Sequence, residues 1–557
     1  MTPTLFETPS GHLSVRIGGE SLEDPRDPVH AASMFVDRSQ IERADHVVVL
    51  GVGLGYRLRH LAFVGCEHPI VYEPCPELLG LARTSGVGIP AGARVFTDLR
   101  ELQQHLLSVT RPKENTILLA PPAYRRAFEA EHDALGKVLS EVQGLVLLAR
   151  NSVMERAAML AERAIANVGR LDRVPTLGRV GRALEGTPAF IVSAGPSLDA
   201  NRAWLGEASR RGAVFAVNTS APVFAHLDVP IDLLVAIEAL DVTEPIALAS
   251  KVARALALDL TSGSANFDAA IERKMTFLVD SPPFRPLAEA LGIDTLGYGG
   301  SVATAAFAIA AALGADPIVL VGQDLAYTDG RGYASDTLYE STRVYRDGEL
   351  LYIDRSAKWD ETTAKGGLKV PGKLRPVVDV PRWGGGEPVW STHELVSFRR
   401  WFEMAAEVLD GRVRLVNATE GGARVAGFEE LGLEELVRSL PVREHGLHAA
   451  IDAAARVDRD RIARTRAAVA NGSVKLGAAA QRALKALRRR DTRALSRAED
   501  EVRRAAAIAR LAESHAGSEL LAIMDDEALD PGERARRTYG AIHRSAARIG
   551  ELARRAA

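Results

Sequence analysis

The feature that most constrains this chain is a repeated transition, in which a short run of purely apolar residues breaks at glycine and hands over to a helical pattern. VVVL ends at Leu50 and meets Gly51, Gly53 and Gly55 before an amphipathic stretch, and AFIV ends at Val192 and meets Gly195, Pro196 and Ser197 before LDAN. A run without polar alternation fits a strand buried on both faces, and glycine at its end permits a tight turn into a helix. Further apolar runs, VFAV, LLVAI, TFLV and PIVLV, alternate with helical patterns between about Thr187 and Gly427. That alternation predicts an α/β class with a mostly parallel sheet covered by helices.

At 557 residues the chain is too long for one core. In the first 150 residues a second strand pattern, PIVYEP, carries Glu73, 22 residues after Gly51. A glycine turn after one strand and an acid ending the next predict a Rossmann-like N-terminal domain over 1–150. A nucleotide or S-adenosylmethionine on that turn is one reading, and plain strand-to-helix packing is the other. RNSVMERAAMLAERAIANVGRL predicts a helical connector over 151–186. The central α/β domain then spans 187–435. Residues 436–557 show no strand pattern, and Asp530, Pro531 and Glu533 mark a helix start there. From 441 onward the chain has 24 Lys plus Arg against 16 Asp plus Glu, so this helical C-terminal domain is basic by +8 and the rest acidic by −11. A solvated bundle accounts for that surplus, and so does a docking surface for an acidic or protein partner.

The overall net charge of −3 argues against a generally basic nucleic-acid binder, so no nucleic-acid partner is expected. Two cysteines, Cys66 and Cys75, show no disulfide framework and no metal-ligand spacing. The opening MTPTLFETPSGHLSVRI has neither a basic n-region nor an apolar h-region, so no signal peptide and a cytoplasmic location are expected. The longest apolar run, VATAAFAIAAALGA, is too short for a membrane span and predicts a buried helix.

Ligands in parallel sheets bind beyond the carboxyl ends of the strands, so the residues after each strand carry the function. After AFIV, Gly195 lets the backbone approach a ligand, Pro196 stiffens the turn, and Ser197 either caps the helix or offers a hydroxyl to a phosphate. Asn218 follows VFAV and carries both a donor and an acceptor. Glu238 follows LLVAI. Gly299, Gly300, Ser301 and Thr304 follow TLGY, and Gly322, Gln323 and Asp324 follow PIVLV. Five strand ends that converge on small or polar groups are harder to ascribe to capping than any one of them.

Taken together, VSAGPSLDAN, VFAVNTS, PIDLLVAIE, GGSVATAAF, ALGADPIVLVGQDLAYTDGRGY and VNATEGGARVAG closely resemble the central domain of the motility accessory factors, the Maf flagellin glycosyltransferases. That domain is similar in turn to bacterial sialyltransferases that use CMP-sialic acid, a GT-A variant. The resemblance covers about 187–430, and the flanking domains follow the Maf layout. It implies transfer of a nonulosonic acid of the pseudaminic or legionaminic type from its CMP donor to Ser or Thr of flagellin, in support of flagellum assembly and motility. It also implies that Gly195, Pro196 and Ser197 receive the nucleotide, with Asn218 near the CMP and Gly300 and Ser301 facing it across the cleft. Tyr327 and Tyr333 match the spacing of the sialyltransferase tyrosines that hold the leaving phosphate. Glu238 stands where Maf sequences commonly have aspartate.

His393, in VWSTHELVSFRRWFE, is the one histidine in the zone of the sialyltransferase catalytic histidine, although Thr392 is the more Maf-like position. It is the candidate base, with an ordinary helix-start histidine as the alternative. No metal and no cofactor beyond the CMP-sugar donor is expected, since hydroxyl donors can stabilise the leaving phosphate; Asp324 then orients, and Glu238, Gln323 and Asp324 are counted with the residues that bind the donor nucleotide. The same loop family occurs in archaeal 6-hydroxymethylpterin pyrophosphokinases that use ATP, which gives the alternative activity, and a non-catalytic adaptor of the same fold is the third.

Overall fold

The computed structural model describes residues 2–555 apart from 36–37, 111–113, 155–156, 241, 282, 355–373, 455–458 and 527. Its contacts divide into two compact units, Met1–Ser152 and Val153–Ala557.

The first unit opens with a small antiparallel sheet of β1 (Thr4–Glu7), β2 (Leu13–Ile17) and β3 (Glu20–Ser21). Four parallel strands follow, β4 (His46–Leu50), β5 (Ile70–Tyr72), β6 (Arg94–Phe96) and β7 (Thr116–Leu119), in the order β6-β5-β4-β7. This is the Rossmann-type order, with the first strand central. The all-apolar VVVL is explained by its two faces: Val48 and Leu50 enter one core, and Val47 and Val49 enter the other.

The second unit is built on nine parallel strands: β8 (Ala189–Val192), β9 (Ala213–Val217), β10 (Leu233–Ala236), β11 (Ala255–Asp259), β12 (Arg273–Val279), β13 (Thr295–Leu296), β14 (Ile318–Val321), β20 (Leu415–Asn417) and β21 (Glu429–Glu430). Their order is β13-β12-β11-β10-β9-β8-β14-β20-β21. Alternate residues again feed opposite cores, with Ala189 and Ile191 on one side and Phe190 and Val192 on the other. The run VATAAFAIAAA forms a helix, Val302–Ala312, buried along most of its length. Its Phe307 ring meets Trp401 and Phe402 edge-on, which fixes the helix His393–Leu409 beside it.

Between β14 and β20 the chain adds two small antiparallel sheets, β15 (Arg343–Asp347), β16 (Leu350–Asp354) and β17 (Leu374–Pro376), then β18 (Val378–Val380) and β19 (Val389–Ser391). These are additions to the predicted parallel sheet.

The C-terminal helices, among them Arg459–Arg489 and Pro531–Arg555, share one core with the connector and the sheet edge. Ala161 and Ile165 of the connector, Leu278 and Leu287 of the sheet side, and Ile462, Leu476 and Ile549 of the C-terminal helices lie in that one cluster. The expected start at Asp530 is present: its Oδ1 accepts from the backbone N–H of Gly532 at 2.8 Å and of Glu533 at 3.0 Å. Among the described residues no helix is long and apolar enough to cross a membrane.

Candidate active site

The strand order reverses between β8 and β14, because β9 to β13 run off one side of β8 and β14 and β20 lie on the other. A reversal of this kind opens a crevice at the carboxyl ends of the two strands. The loops after β8, β14 and β20 meet there around one carboxylate. The Ser197 hydroxyl donates to Asp324 Oδ1 at 2.6 Å and its amide donates to Oδ2 at 3.2 Å. Gly195 donates to the Gly322 carbonyl at 2.8 Å. A Cβ on Gly195 would stand 2.0 Å from Asp324 Oδ1, and one on Gly422 would stand 2.2 Å from the Asp324 carbonyl. Both glycines are thus required by close approach. The Ser193 hydroxyl donates to Gln323 Oε1, and the Gln323 backbone N–H donates to Thr419 Oγ1 at 3.2 Å. Burial raises the Asp324 carboxyl to about 6 against the Ser197 hydrogen bonds. Ser197 makes no side-chain cap on the short helix Leu198–Asn201; its hydroxyl serves Asp324 instead.

On the other flank, Asn218 Nδ2 donates to Glu238 Oε1 at 3.0 Å. Asn218 is buried, and its Oδ1 has no partner among the described residues. A buried amide oxygen without a donor carries a desolvation cost, which a ligand N–H or O–H would relieve. Beside it, Asp259 at the end of β11 accepts from Thr261 at 2.7 Å and from the Tyr298 hydroxyl at 2.9 Å. Burial lifts Asp259 to about 6, and it holds Tyr298 well above the ordinary tyrosine range, with Asp259 adding to the effect. Ser301 and Thr304 form a reciprocal capping box at the start of Val302–Ala312. Gly299 packs under Trp401, whereas Gly300, at φ +85°, is exposed with Phe398 3.9 Å from its would-be Cβ.

The segment after Asp324 is bent sharply. Leu325, a branched residue, has φ +53°. Such a conformation is strained for leucine and persists where surrounding structure over-determines it; here the Leu325 carbonyl accepts from the Ser391 hydroxyl at 2.8 Å. Tyr327 packs with Val344, Leu351 and Trp390, and its amide donates to the Trp390 carbonyl at 2.7 Å. Tyr333 is half-buried against Tyr339, ring centroids 5.5 Å apart. The loop carrying Tyr333 lies over the ends of β8 and β9, since Ala334 donates to the Ala194 carbonyl at 3.0 Å and Leu338 to the Thr219 carbonyl at 3.3 Å. His393 is exposed in the first turn of His393–Leu409, after the capping Thr392.

Thus Gly195, Pro196, Ser197, Gln323 and Asp324 share one hydrogen-bonded junction. Asn218 and Glu238 pair with each other, and Gly300 and Ser301 sit at a capped helix start. The strand-end rule passes over Asp259, Thr419 and Glu420, because ALALD and LVN do not stand out as strands in the sequence. It also passes over Asp199 and Arg331, whose pairing joins two distant loops.

The N-terminal glycine turn is filled from within. Glu73 Oε2 accepts from the Val52 amide at 2.8 Å and from the Tyr124 hydroxyl at 2.9 Å. Gly53 donates to Tyr124 Oη at 2.7 Å, and Leu54 donates to Glu23 Oε1 at 3.0 Å. Glu23, Glu73 and Tyr124 are at most 2% exposed. A Cβ on Gly51 would lie 2.1 Å from the Tyr124 ring, so the space that the glycine opens is occupied by this chain's own side chain.

A family model described as 6-hydroxymethylpterin diphosphokinase MptE-like matches residues 162–330, from the connector to the turn after Asp324. Among curated proteins none matches the chain. The solved structure of MAf glycosyltransferase from Magnetospirillum magneticum AMB-1 matches with TM-score 0.53 and 16% identity, covering 100% of this chain and 92% of that chain. The chain thus shares the fold of that glycosyltransferase, and its residues 162–330 match the MptE-like model. The likeness runs through the N-terminal unit and the C-terminal helices as well as the sheet.

Proposed function

We propose that this protein is a glycosyltransferase whose crevice between β8 and β14 binds a CMP-activated nonulosonic acid and transfers the sugar to Ser or Thr hydroxyls of flagellin. The observation that carries the reading is the junction of Gly195–Ser197, Gln323–Asp324 and the Tyr327–Tyr333 segment at the sheet's reversal point, within a fold that follows a Maf glycosyltransferase from end to end. In the reaction the bond from the anomeric carbon to the phosphate oxygen breaks and its electron pair leaves with CMP. The acceptor oxygen forms the new bond, and its proton passes to a base, for which His393 is the candidate. Negative charge grows on the phosphate, where fixed donors act most strongly. Tyr327 and Tyr333 supply hydroxyls, and Asp324 holds the Ser197 loop in place. Asn218 Oδ1 and Glu238 offer acceptors to the amino or hydroxyl groups of the nucleotide, and Gly300, open on its outer side, lets that ligand come close beside Ser301.

Thermal melting tests the ligand choice, because a ligand that binds only the folded protein raises the midpoint. CMP or CDP is expected to stabilise the purified chain, and mass spectrometry of flagellin from cells with and without the gene reads the transfer. The match to the MptE-like model favours one other reading, pyrophosphoryl transfer from ATP to a hydroxymethylpterin. Stabilisation by ATP with magnesium and none by cytidine nucleotides supports that reading instead. Binding of CMP without turnover of any CMP-sugar supports a non-catalytic adaptor.

A further inference from the structure

Between the two tyrosines the chain makes a tight hairpin. Thr328 and Arg331 bridge antiparallel around Asp329 and Gly330, which have φ of +53° and +66°. A two-residue turn with both central residues left-handed is the tightest way to reverse a strand, and Asp-Gly is its preferred sequence. The hairpin places Arg331 rigidly, and Arg331 bridges in turn to Arg343 on β15. Its Nη2 donates to Asp199 Oδ2 at 2.7 Å, to the Tyr333 carbonyl at 3.2 Å and to the Ser335 hydroxyl at 3.3 Å. Asp199 lies in the turn of helix directly after Ser197, and its Oδ1 accepts from the Ser335 amide at 3.0 Å. One nitrogen therefore ties the Tyr333 loop to the Gly195–Ser197 loop.

The rest of the guanidinium is uncommitted. Nε and Nη1 of Arg331 have no partner among the described residues, and the side chain is 30% exposed. The nearby Arg202 has its Nη2 engaged by Asp336 Oδ2 at 3.0 Å and by the Ser335 carbonyl at 3.2 Å, and its Nε, also without a partner among the described residues, is sealed from solvent. Among the described residues these strand ends also carry four carboxylates, Asp324, Glu238, Asp259 and Glu420. The Arg331 charge reaches the nearest of them, acting against burial at Asp324. A phosphate entering beside these acids is favoured by a cation that balances them, and charge-assisted hydrogen bonds are the strong ones.

We infer that Arg331 is the cation that receives the donor's phosphate, held between Tyr327 and Tyr333 by Asp199. This rests on the cytidine-nucleotide reading above and adds a binding residue that the two tyrosines do not supply.

The test is calorimetric titration of the full chain with CMP and with cytidine, at low and at near-physiological salt, for the wild type, R331M, R331K and D199N. Wild type is expected to prefer CMP, with the gap narrowing as salt rises. R331M is expected to lose CMP affinity on the order of tenfold to a hundredfold while its cytidine affinity changes by less than about twofold. R331K should keep part of the preference, and D199N, which loosens Arg331 but leaves its charge, should lose less than R331M. Unchanged CMP affinity in R331M, or equal losses for CMP and cytidine, overturns the inference and reduces Arg331 to a structural pin. If R331M does not fold, R331K and the wild-type salt dependence decide, and a wild-type CMP preference that is indifferent to salt counts against the cation. Wild type that binds ATP with magnesium and no cytidine nucleotide removes the underlying reading, whereas CMP binding with an indistinguishable R331M removes only the role of Arg331.

Discussion

Two glycine-rich turns leave parallel strands in this chain, and their contents are opposite. At Gly51–Gly55 the amides of Val52, Gly53 and Leu54 are taken by Glu73, Tyr124 and Glu23, three side chains sealed from solvent. At Gly195–Ser197 the close approach is made by Asp324, but Gly195, Ser197, Asp199 and Arg331 remain partly exposed, and Asn218 Oδ1 waits without a donor. Glycine in such a turn records that something comes close to the backbone. In the first unit that something is the protein itself, and the acid at the end of β5, which in a dinucleotide site would meet a ribose, is a structural acceptor. In the second unit the polar groups gather at the strand ends where the sheet order reverses.

The widest test of this contrast uses tyrosine hydroxyls. Tyr327→Phe or Tyr333→Phe is expected to lower flagellin glycosylation about a hundredfold to a thousandfold, or ~2.7–4 kcal/mol of transition-state stabilisation, with little change in melting. If both variants work at the wild-type rate, the second crevice is as structural as the first and the contrast fails.

The next largest effect lies in pH. Burial lifts Glu73 from 4.5 to about 7, over the opposing hydrogen bonds from Cys75, Val52 and Tyr124. A carboxyl raised on folding holds its proton more tightly in the folded state, so its contribution is complete below about pH 4.5 and is lost as pH rises through 7. Stability of the first unit is expected to fall by about 3 kcal/mol across that window, since each tenfold change in proton affinity is worth roughly 1.4 kcal/mol. Hydrogen exchange at Val52–Leu54 reads it, and Glu73→Gln should flatten the slope. A flat wild-type profile means that Glu73 is ionised throughout and that the turn still has room for water.

Tyr124→Phe follows. It leaves the Gly53 amide without its acceptor and Glu73 without one donor, at an expected cost of about 1–3 kcal/mol of stability and none of turnover. Loss of glycosylation at unchanged stability would give the first unit a role in the reaction.

Much of the architecture is legible because parallel strands buried on both faces are written as apolar runs: VVVL, AFIV, VFAV, LLVAI, TFLV and PIVLV each supply a strand, with only Ile237 and Pro317 falling just outside β10 and β14. ALALD, which forms β11, is not legible, since alanine and leucine favour helix and only its place between β10 and β12 makes it a strand. The first of the two hairpin sheets does have a signal, the Asp347-Gly348 pair at the turn between β15 and β16. Of the site, the strand-end rule reaches each loop but not the links between them. The Asp199–Arg331 pair joins residues 132 positions apart, a relation that no local pattern encodes. The C-terminal helices show the same limit: amphipathic periodicity announces a buried face but not that connector and sheet edge bury it.

The smallest expected effect concerns Ser301, where one residue is open to both readings of a glycine turn. Its hydroxyl accepts from the Thr304 amide at 3.3 Å, while Thr304 Oγ1 accepts from the amides of Gly299 at 3.0 Å and Ser301 at 3.2 Å. The box ties the Gly299–Gly300 turn to the helix that spans the sheet, so the Ser301 hydroxyl is engaged much as the N-terminal amides are. Gly300, next to it, stays open. Ser301→Ala is therefore expected to cost about 1 kcal/mol of stability, the usual worth of a cap, and to leave CMP affinity within about twofold. A fall in CMP affinity with unchanged melting would mean that the hydroxyl leaves Thr304 for the ligand, and Ser301 would then stand with Asn218 on the side of the crevice that awaits a partner.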